Sequence, residues 1–89
     1  MARCEMAGSE MGAMAPVPAG ADAFYELGLM YAAGRSVPVD LVTAHKWLNI
    51  ALVQGCREAA GIRAELAREM SAAQIAAAQR EARLWLTRH

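Results

Sequence analysis

A bare glycine stands in the middle of an apolar helix face, and this placement constrains the chain more than any other feature. In the run Ala23-Phe24-Tyr25-Glu26-Leu27-Gly28-Leu29-Met30-Tyr31, residues Phe24, Leu27, Gly28 and Tyr31 recur at i, i+3, i+4 and i+7, which puts them on one side of a helix. Glycine costs a helix interior about 1 kcal/mol relative to alanine, so it needs a compensating gain. The usual one is a second helix arriving too close for a side chain. Asp40 to Gln54 supplies that partner, because Leu41, Ala44, Leu48 and Ala51 recur at helical spacing and Ala44 is small enough to face the glycine. The two segments predict an αα-hairpin.

Local punctuation sets the boundaries. Helix one is expected over 22–33, with Asp22 as N-cap and Gly34 as the residue that ends it. Pro38 pushes Val37 away from helical angles, so Asp40 caps helix two, and Gly55 closes that helix. A third helix over 57–70 offers Ala59, Ile62, Leu66 and Met70 to the hairpin. Ser71 and Gln74 then form an S-x-x-Q capping box that starts a fourth helix continuing through Ile75, Ala78, Ala82, Trp85 and Leu86.

Ala23, Leu27, Gly28, Met30, Tyr31, Gly34, Val37, Pro38, Asp40, Ala44, Trp47, Ala51 and Gly55 together give a pattern that resembles the Sel-1-like repeat, a relative of the tetratricopeptide repeat. The resemblance covers one unit over 21–56 and implies an all-α fold, a four-helix fragment of an α/α hairpin solenoid or superhelix that serves as an adaptor scaffold. A shift of 36 residues carries Ala23 onto Ala59 and Met30 onto Leu66, but puts Leu27 on Arg63, Gly28 on Ala64 and Tyr31 on Ala67. The second hairpin, 57–89, is therefore degenerate. With only Ser71 between its helices, it is similar to the terminal capping hairpin of such arrays.

Residues 1–20 hold four of the six methionines with Gly8, Gly12, Pro16, Pro18 and Gly20 and show no sustained periodicity, which predicts a flexible tail. Translation starting at Met14 is an alternative reading of the same stretch. The repeat domain is thus expected over 21–89, with a core marginal enough to hold about 3–5 kcal/mol. Nine basic residues balance nine acidic ones, so no field attracts polyanions and nucleic acid is not an expected partner. No apolar run reaches the ~20 residues that span a bilayer, and Glu5, Gly8, Ser9 and Glu10 interrupt any signal-peptide core. The expectation is a cytoplasmic protein without membrane contact, in which Cys4 and Cys56 are free, reduced thiols.

No catalytic constellation is expected. His45 has no carboxylate or thiol one turn away and reads as a surface or boundary histidine. His89 is the last residue, a poor platform for chemistry. Glu65 and Glu69 lie one turn apart, but with Arg68 nearby they read as a solvated helix face. Ser9, Ser36 and Ser71 lack a nucleophile elbow. Trp47 and Trp85 sit within apolar faces and read as packing residues. No cofactor or metal site is expected, and the chain reads as a non-enzyme.

What the resemblance does imply is a protein-binding face. In tetratricopeptide-like solenoids the first helix of each hairpin lines the ligand-facing surface; here those positions are Asp22, Tyr25, Leu29, Ala32 and Ala33, continuing onto Glu65 and Arg68 of helix three. Since no preceding repeat covers helix one, Phe24, Tyr25, Leu29 and nearby alanines are expected to remain partly exposed unless the tail folds back or a second molecule docks. That flank suits a protein partner or a second copy of the chain in a homodimer. The alternative is a structural or regulatory subunit that docks onto a larger complex through its open hairpin edge.

Overall fold

Gly20, in extended conformation at φ −104° and ψ −170°, leads into the first helix of the computed structural model, which describes residues 20–88. Its carbonyl accepts from the N–H groups of Ala23 and Phe24 at 3.0 and 3.4 Å. Helix α1 is Ala21–Ala33. Asp22, expected as the cap, instead stands in the first turn, where a carboxylate still complements the positive end of the helix dipole. The expected end is as read: Gly34 takes a left-handed φ of 77°, and the N–H groups of Gly34 and Arg35 both donate to the Met30 carbonyl at 2.9 and 3.0 Å. The connection then folds back, the Asp40 N–H donating to the Tyr31 carbonyl at 3.1 Å.

Asp40 caps helix α2, Leu41–Val53, with both carboxylate oxygens. Oδ1 accepts from the Thr43 N–H at 3.1 Å and Oδ2 from the Thr43 hydroxyl at 2.8 Å. Helix α3, Glu58–Ala67, is shorter than the expected 57–70. After Ala67 the chain tightens to i→i+3 bonds, Arg68 to Glu65, Glu69 to Leu66 and Met70 to Ala67, and this turn buries Met70. The capping box is formed at the start of α4, Ala72–Arg88. Ser71 Oγ accepts from the Gln74 N–H at 3.0 Å, and Gln74 Oε1 accepts from the Ser71 N–H at 2.8 Å.

The fold is all-α, with α1, α3 and α4 arranged around α2 and no strand among the described residues. Helix α2 packs on α1, α3 and α4, whereas those three meet one another only marginally. Ala44, His45, Leu48, Ile50 and Ala51 of α2 are all buried. Around them the core gathers Phe24, Cys56, Ala59 and Ala82, with Leu27, Ile62, Leu66 and Leu86 half-buried against it.

Close approach at Gly28 is present, but its agent differs from the expected alanine. A methyl group added there would lie 2.6 Å from both Cγ and Cδ2 of Leu48, and 3.3 Å from the Ala44 carbonyl oxygen. The glycine notch is filled by a leucine, which is itself fully buried. Beside it, Phe24 stacks on Trp47 with centroids 5.6 Å apart and planes 2° from parallel. Trp85 presents edge contacts to Phe24 at 5.1 Å and to Trp47 at 6.0 Å. This triad ties α1, α2 and α4 together and buries Phe24, which corrects the expectation that Phe24 is partly exposed. Residues 1–19, most of the expected tail, and His89 lie outside the described residues.

Candidate functional site

Among the described residues, helix α1 packs substantially on α2 alone, which leaves a flank on either side of that contact. At 100° per residue, Phe24, Gly28 and Tyr31 fall on the side that meets α2. Asp22, Tyr25, Leu29, Ala32 and Ala33 fall on one flank, and Ala23, Glu26, Leu27 and Met30 on the other. Of the first set, Ala33 is exposed and Asp22, Tyr25, Leu29 and Ala32 are half-buried, with Tyr25 packed against the core. Glu65 and Arg68 are exposed at the C-terminal end of α3. Because α1 and α3 meet only marginally, the structure gathers the five α1 residues on one flank and carries Glu65 and Arg68 on a helix joined to it through α2.

The opposite flank holds a feature that the sequence reading did not single out. A shallow depression of about 460 Å³ is lined by Ala23, Glu26, Leu27, Met30, Arg35 and Ser36. Its apolar floor comes from residues one turn apart on α1, and the loop that follows Gly34 contributes its cationic rim. Leu27 and Met30 at i and i+3 with Arg35 beyond the helix end were the available signal. Val39, Val53 and Leu84 are the exposed large apolar residues among those described, and they stand on the connection, at the end of α2 and on α4.

The polar interior centres on α2. His45 is only 2% exposed, contrary to its reading as a surface or boundary residue, because α2 is enclosed on three sides. Its Nδ1 has no hydrogen-bond partner; an unpaired buried polar group costs about 1–3 kcal/mol. Burial first, and then the positive charge of Arg63, hold the imidazole pKa below its ordinary value of 6.5. One turn on, Asn49 Oδ1 accepts from Arg63 Nη1 at 2.6 Å, joining α2 to α3.

The remaining candidates offer little chemistry. Glu65 and Glu69 are exposed, and among the described residues no group of three or more His, Cys, Asp or Glu side chains is placed to hold a metal ion. Cys56 is fully buried and disulfide-bonded, which corrects its reading as a free thiol; Cys4, the other cysteine of the sequence, lies outside the described residues. No helix among the described residues is long and apolar enough to cross a membrane. Compared with protein-family models, curated proteins and solved structures, the chain matches none.

Proposed function

We propose that the chain is a small non-catalytic protein–protein interaction module of the Sel-1-like repeat type, one repeat over 21–56 with a capping hairpin over 57–89, which binds a protein partner or a second copy of itself. The observation that carries this reading is the edge position of α1. It packs substantially on α2 alone, so Leu29, Ala32 and Ala33 remain outside the shared core, rimmed by Asp22. An apolar strip with a charged rim is the surface a partner helix or peptide covers. Tyr25 contributes from the same flank while anchoring itself inward, and Glu65 and Arg68 would meet only a partner large enough to reach α3. The hairpin itself supports the repeat assignment, since the Gly28 notch, Gly34 stop and Asp40 cap occur at the spacings of the resembled unit.

A second reading is favoured by the depression beside Met30 and Arg35: the chain docks onto a larger complex through the other flank of α1, as a structural or regulatory subunit. One experiment separates the two. Leu29→Glu and Met30→Glu each charge one flank and leave Tyr25 and the core untouched, so folding is checked by circular dichroism before association is measured. Sedimentation equilibrium over a wide concentration range, with affinity capture alongside, is expected to show self-association or a stoichiometric partner that Leu29→Glu abolishes and Met30→Glu spares. The reverse pattern establishes the second reading. A wild type that stays monomeric and retains no stoichiometric partner refutes both.

A further inference from the structure

Cys56 is disulfide-bonded at a point that the fold fixes closely. Gly55 takes a positive φ of 113°, which turns the chain so that the Cys56 N–H donates to the Ala51 carbonyl at 2.9 Å, while the Cys56 carbonyl accepts from the Ala59 N–H at 3.1 Å. The residue thus follows the end of α2 and leads into α3. Its side chain is fully buried in the cluster of Phe24, Ile50, Ala51, Ala59 and Ala82.

The sequence holds one other cysteine, Cys4. A disulfide brings its two β-carbons to within about 4 Å of each other, so a second copy of the chain could pair its own Cys56 with this one only by opening both cores. A cysteine on a terminal segment meets no such obstacle, and the hairpin brings the start of α1 to the right end. The bond from the Asp40 N–H to the Tyr31 carbonyl joins the end of α1 to the start of α2. The start of α1 therefore lies beside the end of α2, and Ala21 packs against the same cluster as Cys56. Cys4 stands sixteen positions before Gly20, a reach of about 50 Å when extended, against a longest extent of 41 Å for the protein.

We propose that Cys4 is the partner of Cys56, and that this bond staples the N-terminal segment to the α2–α3 turn and makes folding of the domain conditional on oxidation. Forming it takes two protons and two electrons from the two thiols, and a small-molecule disulfide accepts them by exchange. One protein thiolate attacks the oxidant, releasing one thiol and leaving a mixed disulfide; the second protein thiolate then displaces the other thiol. The bond closes residues 5–55 into a loop, and so long a loop removes much conformational freedom from the unfolded chain. In a domain of this size that gain is comparable with what a single apolar core supplies, so the reduced chain loses a large share of its stability although every described contact of α1 to α4 is unchanged.

Tryptic mapping of the full chain without reductant, with free thiols alkylated beforehand, reads the pairing directly, because cleavage at Arg3, Arg35, Lys46 and Arg57 puts the two cysteines on separate peptides, 4–35 and 47–57. The expected result is one linked species of these two peptides, recovered from protein that runs as a monomer on a non-reducing gel. Peptide 47–57 found alkylated, joined to a second 47–57, carrying a small thiol, or linked to 4–35 only in a covalent dimer would each overturn the proposal. Cys4→Ser then tests the staple while leaving the described core untouched. Its thermal midpoint, followed by circular dichroism, should fall by about 10 °C or more below that of the oxidised wild type, reductant should bring the wild type down to the same value, and reductant should leave Cys4→Ser where it is. A midpoint equal to that of the oxidised wild type overturns the conditional folding. The wild-type map and the wild-type response to reductant decide the matter even if Cys4→Ser does not fold.

Discussion

Substituting Gly28 with alanine sets two known effects against each other, and the structure fixes which wins. Alanine favours a helix interior by about 1 kcal/mol over glycine. Against that gain, the new methyl group would stand 2.6 Å from two carbons of Leu48, well inside van der Waals contact. Relief requires the whole Leu48 side chain to shift, because Cγ as well as Cδ2 is too close and that side chain is fully buried. Overpacking of this kind costs about 1–3 kcal/mol. Gly28→Ala is therefore expected to be destabilising by about 0–2 kcal/mol, in a position where propensity alone predicts the opposite sign.

A double-mutant cycle makes the sign decisive. Leu48→Ala removes Cγ and both Cδ carbons, so both short contacts disappear, while the 3.3 Å approach to the Ala44 carbonyl remains in each background and cancels. In the Leu48→Ala protein, Gly28→Ala should then stabilise by about 1 kcal/mol from propensity alone, with cavity filling adding to it. The coupling energy expected between positions 28 and 48 is about 1–3 kcal/mol. Thermal unfolding followed by circular dichroism reads this as roughly 4–8 °C per kcal/mol for a domain of this size. Since Leu48→Ala alone costs about 2–5 kcal/mol, all four proteins are compared in a stabilising osmolyte so that each starts folded. If Gly28→Ala raises the midpoint equally in both backgrounds, Leu48 does not occupy the notch and the account of the hairpin fails.

The helix caps should behave as independent local contributions. Asp40→Ala and Ser71→Ala are each expected to lower stability by about 0.5–2 kcal/mol in urea melts, and their double variant should be additive, because the two caps share no partner; a coupling above the additivity error would contradict that. For Cys56, alkylation of denatured protein before and after reduction should leave it unlabelled in the first case and label it in the second, read by peptide mapping, and labelling of Cys56 without reductant would restore the free-thiol reading. Disulfides persist in oxidising compartments, so the same measurement on extract quenched with the alkylating agent bears directly on where the chain resides.

Features written in one or two residues were legible in the sequence. Gly34 ends α1 because only a residue without Cβ takes its φ of 77° easily. Asp40 and the Ser71–Gln74 pair cap their helices through bonds confined to four consecutive residues. Burial of α2 was harder to read. Leu41, Ala44, Leu48 and Ala51 suggested a single inward stripe, yet Leu41 is only half-buried, while His45 and Ile50, about 140° apart on the helical wheel, are enclosed on different sides. A helix packed on three sides loses the one-faced periodicity on which such reading depends. The same non-local fact governs the candidate surface. That Asp22, Tyr25, Leu29, Ala32 and Ala33 share a flank follows from helix geometry, whereas the distance between α1 and α3 depends on how both lie against α2, which no local spacing encodes.

That central position gives the two satellite helices different capacities. Both α1 and α3 are held mainly by α2, so each keeps faces that the core does not use. The interface of α1 is apolar and aromatic, with the Gly28 notch closed by Leu48 and Phe24 clasped between Trp47 and Trp85; nothing in it titrates near neutrality, and it suits a surface that must stay rigid while a partner docks. The α3 seam combines small apolar contacts with Arg63, Asn49 and an imidazole lacking a partner at Nδ1. Among the described contacts it has none of the ring stacking that fixes α1 on α2.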